Sequence, residues 1–407
     1  MNKETVPPWS ELLGALIRIP SVFEQEYAIL AFVEKRLDQL GLTAARVRFD
    51  AEKLRNVPDA QPPFSAKTGR HNLVARIPGR SGGRSLVLNC HLDVVPAGPE
   101  NAWTHPPFSG HIDKEKNLIY GRGAMDGKAG VAIALAVLET FASGSRELSG
   151  DLIVQFVLED ETTGNGTLLC LHAGHVGAAA IILDGTRGDR AINQHAGNMQ
   201  FGISLTGKPA SVSVSHMGVN AAEAMSELLL ALRDDIFALN ESRVEPWTRF
   251  PSPNQFVTQS IISTGRPLTV PDAAEALCYV TFTPPATVES MRIRIEERIR
   301  RFAAMRNIAI PTIQWDNLFS VDPVFSSAGL LEQTIQNALA VSGKTAIEFG
   351  PSTGTSDLRH FVGHGIPCVL FGPGPGYNPH RADEHYHLPG LSEMVALVLE
   401  VVQQWSK

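Results

Sequence analysis

Two kinds of hydrophobic pattern run along this chain, and they divide it. In the first half, amphipathic helical stretches alternate with nearly continuous apolar runs. SELLGALIRIPSV reads as a helix stopped by Pro20, and QEYAILAFVEKRLDQLG as a second helix ending at Gly41. NLVARIPG, SLVLNCHLDVV, DLIVQFVLED and AAAIILDG are short apolar runs of strand length, and GVAIALAVLETFA is an apolar helix. Strands apolar on both faces and separated by helices predict a mostly parallel sheet with helices on both faces, the α/β class.

Near residue 199 the pattern changes. MQFGISLTG alternates as a half-buried strand does, and a long helix follows over 218–239. Two strands (QFVTQSIIST and ALCYVTFT), a helix over 287–306 and a strand (PTIQW) come next. This βαββαβ order predicts an inserted α+β unit, a lid. From about residue 319 the first style returns, with helices over 326–341 and 390–405 around the strand PCVLFG. The expected division is 1–198 and 319–407 for the catalytic part and 199–318 for the lid and dimerisation part.

Composition adds limits. The chain has 407 residues, 43% hydrophobic and 19% charged, with a formal net charge of −7. Neither the charge nor any basic stripe suits a nucleic-acid binder. The arginines of MRIRIEERIRR are interrupted by Glu296 and Glu297, and its isoleucines fall at helical spacing. Cys90, Cys170, Cys278 and Cys368 are scattered, which predicts free thiols and a reducing compartment. MNKETVPPWSELL has no apolar signal-peptide core, and no apolar run reaches membrane-spanning length. The expectation is a cytoplasmic enzyme acting on a small molecule.

The chemistry lies where apolar strands end. SLVLNC runs into His91 and Asp93; YGRGAMDGKAG presents Asp126; IVQFVL ends in Glu159, Asp160 and Glu161; AAAIIL ends in Asp184; VLFGPGPGYNP ends in His380. Carboxyl ends of strands are where α/β sheets place ligands. Two imidazoles with several carboxylates suit zinc or a similar divalent ion, and cations explain how adjacent acids coexist at the end of a buried strand. In His91-Leu-Asp93, an acid two residues on shares the strand face and is expected to accept the second ring N–H.

With IPSV (19–22), HLDVVPAG (91–98), the PPFSG segment after Trp103, YGRGAMDGKAG (120–130), DETTGNG (160–166), GVNA (218–221), TSDLR (355–359) and PHRADE (379–384), the chain resembles a known family. It is that of the dinuclear zinc deacylases and exopeptidases, which includes acetylornithine deacetylase, succinyl-diaminopimelate desuccinylase, aminoacylase and carboxypeptidase G. The resemblance implies two divalent metal ions, Zn2+ with Co2+ or Mn2+ as substitutes. It implies Asp126 as the bridging ligand, His91 and Asp184 at one metal, Glu161 and His380 at the other, Asp93 behind His91, and a cis peptide at Gly127. Asp160 stands where relatives carry the glutamate general base, and Arg359 where they bind a substrate carboxylate.

The lid departs from the family. Ser211 replaces a histidine that relatives send into a neighbouring active site, often across a homodimer, and His216 is the nearest substitute. Thr269, Tyr279, Thr281 and Ala196 replace further polar or charged residues. The expected function is hydrolysis of a small N-acyl amino acid or dipeptide-like amide. The altered base and lid keep open a lyase, cyclase or amide-forming reaction on the same scaffold. GPSTG (350–354) also fits a nucleophilic-serine pattern at Ser352, but Pro351 and the short remaining chain favour a structural turn.

Overall fold

The computed structural model describes residues 9–407; the signal-peptide reading of the N-terminus falls largely on residues 1–8, outside them. The apolar runs become the centre of a nine-stranded sheet. Across it lie the strands 45–48, 71–77, 152–157, 86–91, 179–182, 368–370, 190–195 and 324–325, with 348–352 also paired to 190–195. Strands 152–157, 86–91, 179–182 and 368–370 run parallel side by side. The flanks are mixed: 45–48, 71–77 and 324–325 pair antiparallel.

Helices cover this sheet. Lys128–Ala142 is buried along most of its length, as its apolar sequence requires. Leu388–Trp405 packs beside it with one apolar face inward. The main hydrophobic cluster joins these helices to the sheet, and a second cluster fills the other face with Cys170, Leu358, Phe361 and Ile366. All four cysteines are buried and free.

Strands 197–206, 273–282, 255–262, 312–314 and 320–321 form a separate antiparallel sheet of five, in the expected βαββαβ order with helices Ala221–Ala238 and Val288–Arg306. Both helices start where capping chemistry says they should. Asn220 accepts the N–H groups of Ala222 and Glu223, and Thr287 with Ser290 forms a reciprocal capping box. In the arginine-rich helix Met291, Ile295 and Ile299 are buried one turn apart while Arg294, Arg300 and Arg301 are exposed. This unit has its own apolar core, drawn from residues between Met199 and Phe302. A small four-stranded sheet (376–377, 385–387, 118–120, 111–113), absent from the sequence reading, ties the loop of His380 to the segment before Asp126. Among the described residues no helix is long and apolar enough to cross a membrane.

Candidate active site

The fully buried strands Leu86–His91 and Leu152–Val157 cannot hold charge along their length, so polar residues emerge where they end. His91 is the last residue of the first. Asp160 and Glu161 follow the second, Asp184 follows Ala179–Ile182, and Asp126 sits just before the helix at Lys128. The ligand atoms of His91, Asp126 and Glu161 lie within 4.8 Å of one another, as do those of His91, Asp160 and Asp184. Asp126 Oδ1 is 3.2 Å from His91 Nε2, and its Oδ2 is 3.1 Å from His380 Nε2. One carboxylate therefore turns an oxygen to each imidazole, the disposition a bridging ligand needs. His380 Nε2 is also 2.9 Å from Glu161 Oε2, and His91 Nε2 is 3.9 Å from Asp184 Oδ1. His91 Nε2 is buried and has no hydrogen-bond partner of its own. An orphaned imidazole nitrogen facing carboxylates fits a divalent cation, and the nitrogen and oxygen donors fit zinc or a similar metal.

Three expectations change in detail. His91 Nδ1 lies 3.0 Å from the backbone carbonyl of Asp93, whereas the Asp93 carboxylate is 3.8 Å away. The strand ends at His91, so strict alternation does not carry the acid onto the ring. Asp93 Oδ2 instead accepts the backbone N–H of Glu161 at 3.2 Å and so positions the acid loop. The cis peptides among the described residues all precede proline, so the bond at Gly127 is not one of them. Glycine is needed there for two other reasons. Its φ is +97°, and a Cβ would come within 2.8 Å of the His91 ring. Glu159, the first acid of the triplet, is turned away: it is buried against Arg70, which also pairs with Glu26 at 2.6 Å, and it accepts the Thr163 hydroxyl. This ion pair explains the third carboxylate without a metal.

Glu384 was missed in the sequence. It is fully buried, and its carboxylate accepts Arg122 Nη1 (2.6 Å) and the N–H groups of Gly123 (3.1 Å), Met125 (2.9 Å) and Asp126 (3.0 Å). It pins the Asp126 loop to the His380 loop. The signal was available in PHRADE, but a backbone-directed carboxylate looks like any loop acid. The nearby histidines are not ligands. His385 Nδ1 is 2.8 Å from the Asp383 carbonyl, and His105 stacks on His111 at 3.7 Å. Ser352 accepts the N–H of Gly354 at 3.1 Å, the structural turn expected for GPSTG.

The acids open into a cavity of about 520 Å3 whose walls include Arg359, Phe319, Gln200 and Tyr279. Arg359 donates to the carbonyls of Ser356 (3.0 Å) and Thr163 (2.6 Å), and its Nε is buried without a partner. Ser211 and His216 do not line this cavity, contrary to a substrate-binding role within one chain. Residues 208–219 close on themselves through a Lys208–Val219 pairing, and 212–217 coil outward. Ser211 is exposed beside Ser213, and His216 lines a different hollow with Arg306.

The sequence profile of peptidase family M20/M25/M40 matches residues 87–404, most of the chain. The chain belongs to this family. It is 29% identical to a succinyl-diaminopimelate desuccinylase of Rhodopseudomonas palustris, over 97% of each protein. Its fold is similar to that of a Staphylococcus aureus tripeptidase (TM-score 0.75, 18% identity, 99% and 100% of the two chains). A dinuclear metal-binding M20 peptidase of Bacillus subtilis is also similar (TM-score 0.65, 17% identity, 97% of each). The protein is a metal-dependent hydrolase of peptidase and desuccinylase type.

The charge state of the M20 site in the protein alone reflects crowding. Burial, then the Asp126 charge, raise Glu161 to about 7 and Asp184 to about 6. Hydrogen bonds to Asp126 and Glu161 raise His380 to about 10. Burial opposes ionisation of Asp126, but the two histidines outweigh it and hold Asp126 low. The cluster thus keeps protons on His380 and shares them among the acids, protons that divalent ions would displace.

Proposed function

We propose that this chain hydrolyses the amide bond of a small N-acyl amino acid or dipeptide-like substrate. The carrying observation is Asp126 set between His91 and His380, with Asp160 beside the same cluster. His91 and Asp184 would hold one divalent ion, Glu161 and His380 the other, and Asp126 both; the donor set favours zinc, with cobalt or manganese as substitutes. Bound there, the ions supply Lewis acidity for the scissile carbonyl and acidify water.

The chain's own residues do the rest. Asp160 takes a proton from the attacking water as oxygen adds to the carbonyl carbon. It returns that proton to the amine nitrogen as the C–N bond breaks, giving a carboxylate and a free amine. Aspartate is one methylene shorter than glutamate, and its loop keeps it within reach of His91 and Asp184. Arg359 orients the substrate carboxylate. Asp93 and Glu384 hold the loops of Glu161 and Asp126. Residues 199–318 act as the lid. We assign Ser211 and His216 to the neighbouring active site of a homodimer, because they face outward and the edge strand Gln255–Ile262 leaves Val257, Ile261 and Ile262 exposed.

The test is metal content together with turnover of a panel of N-acyl amino acids for wild type, Asp160→Ala and Asp160→Glu. Two ions per chain with turnover abolished in Asp160→Ala supports the reading. Two ions and no hydrolysis by wild type or Asp160→Glu overturns it in favour of a non-hydrolytic reaction.

A further inference from the structure

We infer that the active-site cavity selects substrates bearing a single carboxylate and an otherwise uncharged acyl group and side chain, and that Tyr279 is the specificity-determining residue. The inference rests on the hydrolytic reading and narrows its substrate class. The argument is a charge inventory of the cavity wall.

Four carboxylates face the space: Asp126, Asp160, Glu161 and Asp184. Two divalent ions carry the opposite charge in equal amount, so the loaded centre sums to about zero with neutral histidines. One further full charge lines the wall, Arg359. Burial holds its pKa below that of a free guanidinium against the raising effect of the nearby acids, and arginine stays protonated at neutral pH. Its guanidinium is fixed by two carbonyls, and its buried Nε still lacks an acceptor. Asp357 Oδ1 lies 3.9 Å from Arg359 Nη2, but burial raises that carboxyl to about 8, so Arg359 keeps its positive charge for the cavity, the complement of one carboxylate.

The rest of the wall is neutral. Tyr279 and Gln200 enter from the five-stranded sheet, and Phe319 lies under the Arg359 guanidinium at 5.6 Å. Burial pushes the Tyr279 hydroxyl up to about 12, so it stays uncharged at working pH. Gln200 is occupied by a hydrogen bond to Gln259 at 3.1 Å. A second anion, such as the free carboxylate of a succinyl group, would lose its water here without a cation to replace it. An unpaired charge set against a wall without a cation is one way to reject a near-identical ligand. Tyr279 sits within electrostatic reach of Arg359, so a charge placed there would change the count directly.

The metal-loaded enzyme is assayed on N-acetyl-L-norleucine, N-succinyl-L-norleucine and N-acetyl-L-glutamate. Binding of ketomethylene analogues of the first two, with CH2 in place of the scissile N–H, is measured by calorimetry. The expected result is at least about tenfold higher kcat/KM for N-acetyl-L-norleucine than for either diacid, with the same order in affinity. Tyr279→Arg should move the succinyl-to-acetyl ratio up by about tenfold, with metal content and Tm retained. Equal or better turnover or binding of the succinyl compound by wild type overturns the inference and leaves the hydrolytic reading standing. No turnover of any compound by metal-replete enzyme overturns both.

Discussion

The two large sheets treat their residues differently. In the nine-stranded sheet, strands 86–91, 152–157 and 179–182 are buried at every position. In the five-stranded sheet, strand 255–262 buries little more than Phe256, and strand 273–282 buries mainly alternate residues. A strand enclosed on both faces has nowhere to put a polar group except its ends, so its chemistry collects there. A strand with one open face can carry polar residues anywhere, and its pattern does not say what they meet. That contrast separates a candidate metal centre whose residues converge within one chain from a second unit whose distinctive residues, Ser211 and His216, lie outside its cavity.

The sharpest way to break the comparison is to remove the residue on which the strand ends converge. Asp126→Ala should reduce bound metal below two ions per chain and lower kcat by more than about a thousandfold. Metal analysis alongside the assay separates this from misfolding, since the loop is also held by Glu384. Undiminished metal and turnover would mean that the cluster is an acidic coincidence. Glu384→Gln tests the support rather than the ligand. It replaces an acceptor of four donors with a group that itself donates, so metal affinity should fall about 10- to 100-fold. A competition titration with a chelator reads this directly, and unchanged affinity would show that the loop holds its shape unaided.

Proton linkage gives a smaller effect that belongs to the nine-stranded side alone. His195 is fully buried, and burial lowers its pKa to about 4. The unfolded chain therefore binds this proton first as pH falls. The stability contribution is complete above the unfolded value of about 6.5 and is lost as pH drops toward 4, up to about 3 kcal/mol. Burial also holds His360 well below its ordinary value, in the same direction. The raised carboxyls of Glu161 and Asp184 act in the opposite direction, so the readout is a difference: from pH 7.5 to pH 5 the urea midpoint of His195→Asn should gain on that of wild type. An unchanged difference between the two proteins would contradict the burial argument.

These residues also mark how far the sequence could be read. His91, Asp126, Glu161, Asp184 and His380 were legible because glycine-spaced loops and apolar strands frame them, and the βαββαβ order of the second sheet was legible from periodicity. Glu384 and the Arg70–Glu159 pair were not. Their roles come from partners 44 to 262 residues distant, and no local pattern encodes such pairings. The placement of the Asp93 carboxylate was misjudged by assuming that strand alternation extends past His91. The small sheet at 376–387 was hidden because strands of two or three residues lack a readable period.

On the five-stranded side the expected effects are smaller and fall on assembly before chemistry. Ile261→Lys places a charge on an edge strand whose outer residues are exposed, so it should shift the proposed dimer to monomer by light scattering while leaving bound metal unchanged. A wild-type protein that is already monomeric would remove the neighbouring-site assignment altogether.

Ser211→Ala is the mildest change. Ser211 is exposed and its hydroxyl meets only that of Ser213 at 2.9 Å, so the loop loses little. If Ser211 reached a reacting oxyanion in a partner's site, removing one such donor would lower kcat by about 100- to 1,000-fold. Serine is shorter than histidine, so at the partner's site its hydroxyl falls short of the oxyanion, which predicts a change within about threefold instead. Ser211→His supplies the imidazole the loop lacks. A rise in kcat of tenfold or more, with metal content unchanged, would show that the loop still reaches a neighbouring site and that only its side chain has been lost. No rise in a dimeric protein would mean that the loop's path, not only its residue, has changed, and that carbonyl activation rests on the metal centre of a single chain.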